Sequence, residues 1–427
     1  MIIFLTGCVE NGVIVQDIEL SDSWFPEYVR KAFPDAWEWS KTNKKLKDAR
    51  RGVQLISVRR LTEENGPHHE ANLSWSTDGS YLGFEKSIGD QRTVSLKSLS
   101  GKYKHKIAVL PNGGGGFLQK YYKFKTWNSG LRWSYDSMRY VFVSNGGAGQ
   151  FDIYLGSIGE KERAITKDNA RDGHASWNPT RDEIAYVSSK SGKGDIYVYE
   201  IDTEKSTQLT SSNNSDLFPE WSPEGDMIFY SSGHGRRHRL MFLRKGDAGW
   251  GKPEALTQWG GDIFRPTLSP DGALIAFYDT AERNGQVTWN LHILPWIPGK
   301  EFTLIEVKNS IVARDVVVDL NSGPTWSPNG HVLFYVARES NFEDAIFAWD
   351  FLSSRRYKLL TSTRQNRDLR MSKVGVLSFR AQEGSWDRVY IALTNQGSQI
   401  QQKQSIKTDL LDRYTKWGKT WLSRLHF

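Results

Sequence analysis

The sequence predicts an all-β chain: a seven-bladed β-propeller of four-stranded blades, six blades being the alternative, with short helical N- and C-terminal extensions. Three observations predict it. A tryptophan-and-turn segment recurs six times, an apolar strand follows each copy, and most repeats close on Leu/Ile-Thr. Repeats of about 40–50 residues are the mark of stacked blades.

The six copies are Leu73–Gly79, Leu131–Asp136, Ala175–Thr180, Pro219–Gly225, Pro266–Gly272 and Pro324–Gly330. Their anchors are Trp75, Trp133, Trp177, Trp221, Leu268 and Trp326, at spacings of 58, 44, 44, 47 and 58. Each anchor ends one short strand. Ser-Pro-Asp-Gly then makes a tight turn, with Pro presetting φ and Gly taking the geometry at the end. The next strand is apolar, as in Met227–Tyr230 and Leu274–Tyr278. A third carries Asp-Ile-Tyr, at Asp152–Tyr154 and Asp195–Tyr197. A fourth ends in Ile165-Thr166, Leu209-Thr210, Leu256-Thr257 or Leu360-Thr361. Four short strands make a blade, and one blade cannot bury both faces alone, so each anchor is expected to pack between neighbours. Val374–Phe379 and Arg388–Leu393 read as middle strands of a worn last blade. Val53–Thr62 reads as an outer strand with no blade before it, placed to complete that last blade and remove an exposed edge.

The turn Trp-Ser-Pro-Asp-Gly with downstream Asp-Ile-Tyr and Leu-Thr resembles the WD-like repeats of the TolB propeller family over about residues 53–394. The resemblance implies an envelope scaffold that binds partner proteins in part through the propeller's central mouth. The same repeats occur in propellers of prolyl-oligopeptidase-type peptidases and in oligogalacturonate lyases, so they fix fold more firmly than function.

Four segments follow: a lipobox-like stretch at 1–8, an N-terminal helical extension at 9–51, the propeller at 52–395 and a basic amphipathic helix at 396–427. Leu5-Thr6-Gly7-Cys8 resembles the lipobox of bacterial lipoproteins, although no basic stretch precedes it and the apolar run Met1–Leu5 is short. Cys8 is the only cysteine, which leaves no intrachain disulfide and makes it the candidate lipidation site. In the N-terminal extension Ser23 and Asp35 are placed to cap helices bearing Trp24, Phe25, Tyr28 and Phe33, then Trp37, Trp39 and Leu46. In the tail, Ile406, Leu410, Tyr414, Trp417, Trp421 and Leu425 form one apolar stripe, edged by Lys407, Arg413, Lys416, Lys419 and Arg424. That pattern suits a helix docked on the propeller, or one held by a partner or a membrane surface.

The charge agrees with this division. Of the net +7, residues 27–60 carry +6 and residues 403–427 carry +4, which leaves the remainder at −3. The acidic-leaning body, with no recognisable nucleic-acid module, speaks against nucleic acid as partner. Gly246–Lys252 matches the start of a phosphate loop, but Pro253 stands where a Ser or Thr must ligate magnesium. No Gly-x-Ser-x-Gly elbow is present. No catalytic residue, cofactor or metal ligand is therefore assigned. The loops before the inner strands hold the candidate partner-binding residues His68, His69, Arg171, Asp172, His174, Asp216, Asp262 and Arg265. The functional expectation is a non-enzymatic scaffold in the bacterial periplasm, anchored through Cys8 at the outer membrane and bound to other envelope proteins. The alternative is a carbohydrate-active propeller, such as a metal-dependent polyuronide lyase using mouth-proximal histidines.

Overall fold

The computed structural model describes residues 9–10, 13–14, 52–89, 91–99, 104–107, 126–146, 150–283, 285–319, 322–340 and 343–396. The expected helices in 20–51, Cys8 and the tail residues Tyr414, Trp417, Trp421 and Leu425 lie outside them. So do residues 108–125 in the wide gap after the first anchor. Val9–Glu10 pairs antiparallel with Val13–Ile14, at the start of the segment read as a helical extension. The described residues are all-β apart from one short helix, Leu304–Asn309.

Seven groups of four antiparallel strands follow one another. The first sheet is His69–Trp75, Tyr81–Ile88, Gln91–Ser98 and Lys104–Ile107. The second is Thr126–Trp133, Arg139–Ser144, Asp152–Ser157 and Arg163–Ala164; a short parallel bridge, Gln91 to Thr126, joins it to the first. The third is Asp172–Trp177, Glu183–Ser188, Asp195–Glu200 and Lys205–Gln208. The fourth is Ser215–Trp221, Met227–His234, Arg237–Gly246 and Glu254–Ala255, with Gly249–Trp250 as a further short strand on its third. The fifth is Ile263–Leu268, Leu274–Arg283, Gln286–Pro295 and Ile311–Arg314, and the sixth Thr325–Trp326, Val332–Ser340, Glu343–Asp350 and Arg355–Leu359. The seventh is Arg364–Met371, Val376–Glu383 and Trp386–Thr394, completed on its outer edge by Leu55–Arg60 from the other end of the chain. Leu55 faces Thr394 and Arg60 faces Tyr390, so the strand closes the sheet as expected.

The core sits between the sheets. Seven apolar clusters each join two neighbours. Leu96, Trp133 and Phe142 pack sheets one and two; Ile153 and Trp177 pack two and three; Val198, Trp221 and Ile228 pack three and four. Phe229 and Phe277 join four and five, Tyr278 and Trp326 five and six, Phe334 and Phe379 six and seven. The last cluster, with Leu73, Leu82, Val389 and Ile391, joins seven back to one.

The anchors fill these seams, and four of them also bond across. The Trp133 indole N–H donates to the Ser74 carbonyl of the sheet before it at 3.1 Å. Trp221 does the same to Ser176 at 3.0 Å and Trp326 to Thr267 at 3.3 Å. Trp75 donates to Arg370 at 3.1 Å and so joins the first sheet to the seventh. After each anchor comes the turn. In the fourth sheet the Ser222 N–H donates to the Met227 carbonyl and the Gly225 N–H to the Ser222 carbonyl, both at 2.9 Å. Gly225 has φ +72°, and a Cβ there would sit 2.2 Å from Asn178 Oδ1. The seventh sheet has the same turn without its sequence: Ser372 N–H donates to Val376 and Gly375 N–H to Ser372. Its anchor is Met371, packed against the cluster between sheets six and seven.

The second wide gap holds the helix. Thr303 caps it, with Glu306 bonding back to the Thr303 N–H at 2.9 Å. Buried His292 of the fifth sheet reaches the Val307 carbonyl at 2.9 Å and ties the insertion down.

Replacing Trp133 with Phe keeps most of the packing and removes the cross-sheet hydrogen bond. Urea denaturation is expected to show a loss of about 1–2 kcal/mol, against about 3–5 kcal/mol for Trp133→Ala.

Candidate functional site: the axial cavity

The inner strands of all seven sheets line one cavity of about 810 Å³. A backbone device repeated from sheet to sheet shapes its wall. The pairing of inner and second strand slips between Ala71 and Ser74, Ser129 and Arg132, Gly173 and Ser176, Leu217 and Glu220, Phe264 and Thr267, and Arg367 and Arg370. At each slip, three residues before the anchor, the backbone is left-handed: Asn72, Gly130, His174, Phe218, Arg265 and Asp368 have φ between +51° and +68°. Bulges of this kind turn side chains in a new direction. For a bulky residue such as Phe218 a positive φ costs on the order of 1–3 kcal/mol, held by the surrounding fold. In the sixth sheet Gly323 occupies the position, and a Cβ on it would sit 2.7 Å from Thr267.

Past the bulge, the residue just before each anchor faces the cavity. These seven are Ser74, Arg132, Ser176, Glu220, Thr267, Thr325 and Arg370, and every one lines it. They form a polar collar. Above them, at the bulge positions, stand His174, Phe218 and Arg265. The Arg265 guanidinium lies 4.2 Å over the Phe218 ring, and His174 meets the same ring edge-on at 4.5 Å. Phe264 and Trp289 continue the aromatic run outward, 5.7 Å from Phe218 and 5.3 Å from Phe264 respectively. Across the cavity, Trp127 packs on Phe151, with Arg92 over the first and Arg171 over the second.

Burial and mutual repulsion govern the charges. Burial, then Arg132 and Arg370, lower Arg265 to about 9. Burial, then Arg370, lowers Arg132 to about 10. Burial raises Glu220 above the usual carboxylate range, against the pull of Arg132, Arg370 and Arg265. Crowding within the cavity, then Arg265 and Arg132, lowers His174 below the usual imidazole range.

Of the eight residues expected at the mouth, Arg171, Asp172, His174 and Arg265 come together on the cavity wall. The others lie elsewhere. His68 is buried with Nε2 3.0 Å from Glu70, and His69 sits outside against Asp387 at 3.0 Å. Asp216 and Asp262 lie in the seams between sheets. There the Leu/Ile-Thr hydroxyl takes up its repeat role: Thr210 Oγ1 accepts from the Ile196 N–H at 2.9 Å, while the Asp216 N–H donates to the Gly194 carbonyl at 2.9 Å. Thr166 and Asp172 repeat this pattern with Ile153 and Phe151. Asp262 instead meets His238 Nδ1 at 3.1 Å. The cavity residues missed in sequence, Arg132, Glu220, Arg370 and Phe218, stand at fixed offsets from the anchors: one residue before, or three for Phe218. That offset was the available signal. Among the described residues no three His, Cys, Asp or Glu side chains gather as a metal-holding group.

Residues 114–293 match the model of the TolB beta propeller domain. Over that stretch, under half of its length, the chain is similar to TolB propellers. Two curated relatives are similar over the same fold. An uncharacterized protein of Agrobacterium fabrum is 26% identical over 274 residues, 62% of this chain and 83% of the relative. The Tol-Pal system protein TolB of Francisella tularensis is 24% identical over 208 residues, 48% of this chain. The match spans under half, 44%, of that TolB's own length. Among solved structures, oligogalacturonate lyase of Vibrio parahaemolyticus aligns with a TM-score of 0.52 at 13% identity, over 78% of this chain and 93% of that one. At that identity the likeness to the lyase is one of fold alone.

Asp152, beside Asp172 in the second seam, is held at about 7 by burial and then by Asp172. Its proton is bound more tightly folded than unfolded, so ionisation opposes folding. The stability of Asp152→Asn relative to the native protein is expected to rise from pH 4 to 7 and level off above, read by chemical denaturation at each pH.

Proposed function

We propose that the seven sheets are the blades of a closed seven-bladed ring, and that the chain is a non-enzymatic scaffold of the bacterial envelope. It binds partner proteins through the axial mouth and the terminal extensions. A lipid on Cys8 holds it to the outer membrane from the periplasmic side, and the tail residues Tyr414, Trp417, Trp421 and Leu425 engage a partner or the membrane surface. The observation that carries this reading is the mouth itself: arginine and aromatic side chains on a rigid wall, the composition that dominates protein-interface hot spots. The TolB-like repeats support it. Among the described residues no helix is long and apolar enough to cross a membrane, so attachment in this reading falls to the lipid.

The lyase reading draws on the shared propeller fold and on a cavity rich in arginine, but its histidines diverge. His68 and His238 are engaged with Glu70 and Asp262 in the seams, and His69 is outside.

Extraction from native cells in mild detergent is expected to bring down a stoichiometric protein partner, with the chain in the membrane fraction and Cys8→Ser moving it to the soluble fraction. A lone soluble monomer that releases unsaturated uronate from polyuronide would replace the scaffold reading with the lyase.

A further inference from the structure

The collar places like chemistry at one level of the ring. Four of its seven positions are hydroxyls, two are arginines and one is a glutamate. Arg265 adds a third guanidinium at the bulge level above. Cations therefore outnumber anions on this stretch of wall, in a chain whose body as a whole leans acidic. The backbone of the collar is fixed: the carbonyls of Ser74, Ser176, Thr267 and Arg370 each accept an indole N–H from the next sheet. Arg132 donates to its neighbour Leu131 at 2.8 Å and Arg370 to Leu73 at 3.2 Å, which orients both guanidinium planes. Pre-set donors of this kind favour a planar anion that guanidinium can grip with two parallel bonds.

The cavity's size limits what can enter. At about 810 Å³ it lies in the range of small-ligand sites, so a folded domain stays outside and only a short segment reaches the collar. On the way in, that segment passes Phe218, Trp127 and Phe151, which line the cavity with apolar faces.

We propose that the axial cavity takes a short extended segment of a partner protein whose acidic side chain places its carboxylate in the collar, between Arg132, Arg370 and Arg265. This deepens the scaffold reading and rests on it. Glu220 is the selectivity element. Its own carboxylate partly offsets the arginines, so the site accepts one acidic group and weakens toward densely charged polyanions. Thr267 and Thr325 brace the wall, the first donating to the Pro324 carbonyl at 3.2 Å and the second accepting from the Met371 N–H at 3.1 Å.

The test uses the full chain and two capped synthetic pentapeptides, Ala-Phe-Glu-Phe-Ala and its counterpart with Gln at the centre, titrated by calorimetry at low and moderate salt. The Glu peptide is expected to bind about tenfold tighter than the Gln peptide, with the difference shrinking as salt rises. Arg132→Gln and Arg370→Gln are expected each to remove about tenfold of the Glu-peptide affinity and to leave the Gln peptide unchanged. Glu220→Gln is expected to tighten the Glu peptide several-fold, a gain that a merely structural role would not produce. Circular dichroism checks that each variant is folded; the two-peptide comparison on the native chain decides the matter where one is not. Equal binding of the two peptides, or a loss with Glu220→Gln, overturns the proposal. So does trigalacturonate binding more tightly than the Glu peptide, which would assign the collar to a uronate. If partners still co-purify while the peptides bind alike, the collar assignment falls and the scaffold reading stands. If the chain is a lone monomer that prefers the Glu peptide, the scaffold reading falls instead.

Discussion

The stack of sheets depends on the anchor wedged into each seam, which at four of the seven seams is an indole with its N–H on the backbone of the sheet before it. A single four-stranded sheet exposes two apolar faces and has no stable state alone. Stacking hides both faces, but apolar contact is non-directional and would tolerate sliding. The indole bond removes that freedom. Where it is made it fixes the inner strand at a set height against its neighbour, and in Trp75 it does so across the junction of the last sheet with the first. The same carbonyls belong to residues whose side chains enter the cavity, so packing and recognition share one backbone.

Carboxylates in the seams play a different part from those in the cavity. Asp152 and Asp172 lie close together under the Thr166 hydroxyl, and burial raises both, with repulsion from Asp172 adding to it at Asp152 and from Asp168 at Asp172. In the cavity, Glu220 is raised by burial but surrounded by arginines. Asp172 and Asp216 stand at the same offset, five residues before an anchor, and both sit in a seam, yet Asp172 also reaches the cavity wall and Asp216 does not. The left-handed bulge between Asp216 and its anchor turns Glu220 inward instead.

Much of the fold was legible because turn chemistry is local. Ser-Pro-Asp-Gly can be read residue by residue, and six anchors announce themselves. The seventh did not, since Met371 replaces tryptophan and Lys373-Val374 replaces the Pro-Asp pair. Only Ser372 and Gly375 survive, the two residues whose backbone bonds make the turn. The strand Leu55–Arg60 was legible from its Leu-Thr ending. The cavity was less so. His174, Phe218 and Arg265 carry no sign of a left-handed backbone, a conformation usually left to Gly or Asn. The collar was hidden in plain alternation, one residue before each anchor, where Ser, Arg, Glu and Thr look like ordinary surface.

The way the last sheet is completed has a mechanical consequence. Asn395 bonds to both Gln54, at 3.0 Å, and Gly52, at 2.9 Å, so the chain enters and leaves the seventh sheet at one spot. Because Leu55 is opposite Thr394, a tug that separates the two ends loads the ladder one rung at a time, like a zip drawn from its open end. A pull on both ends in the same direction bypasses the ladder altogether. Two tethers leading to a common support would therefore leave the seventh sheet unstressed, whereas tethers to opposing supports would give it a low-force release.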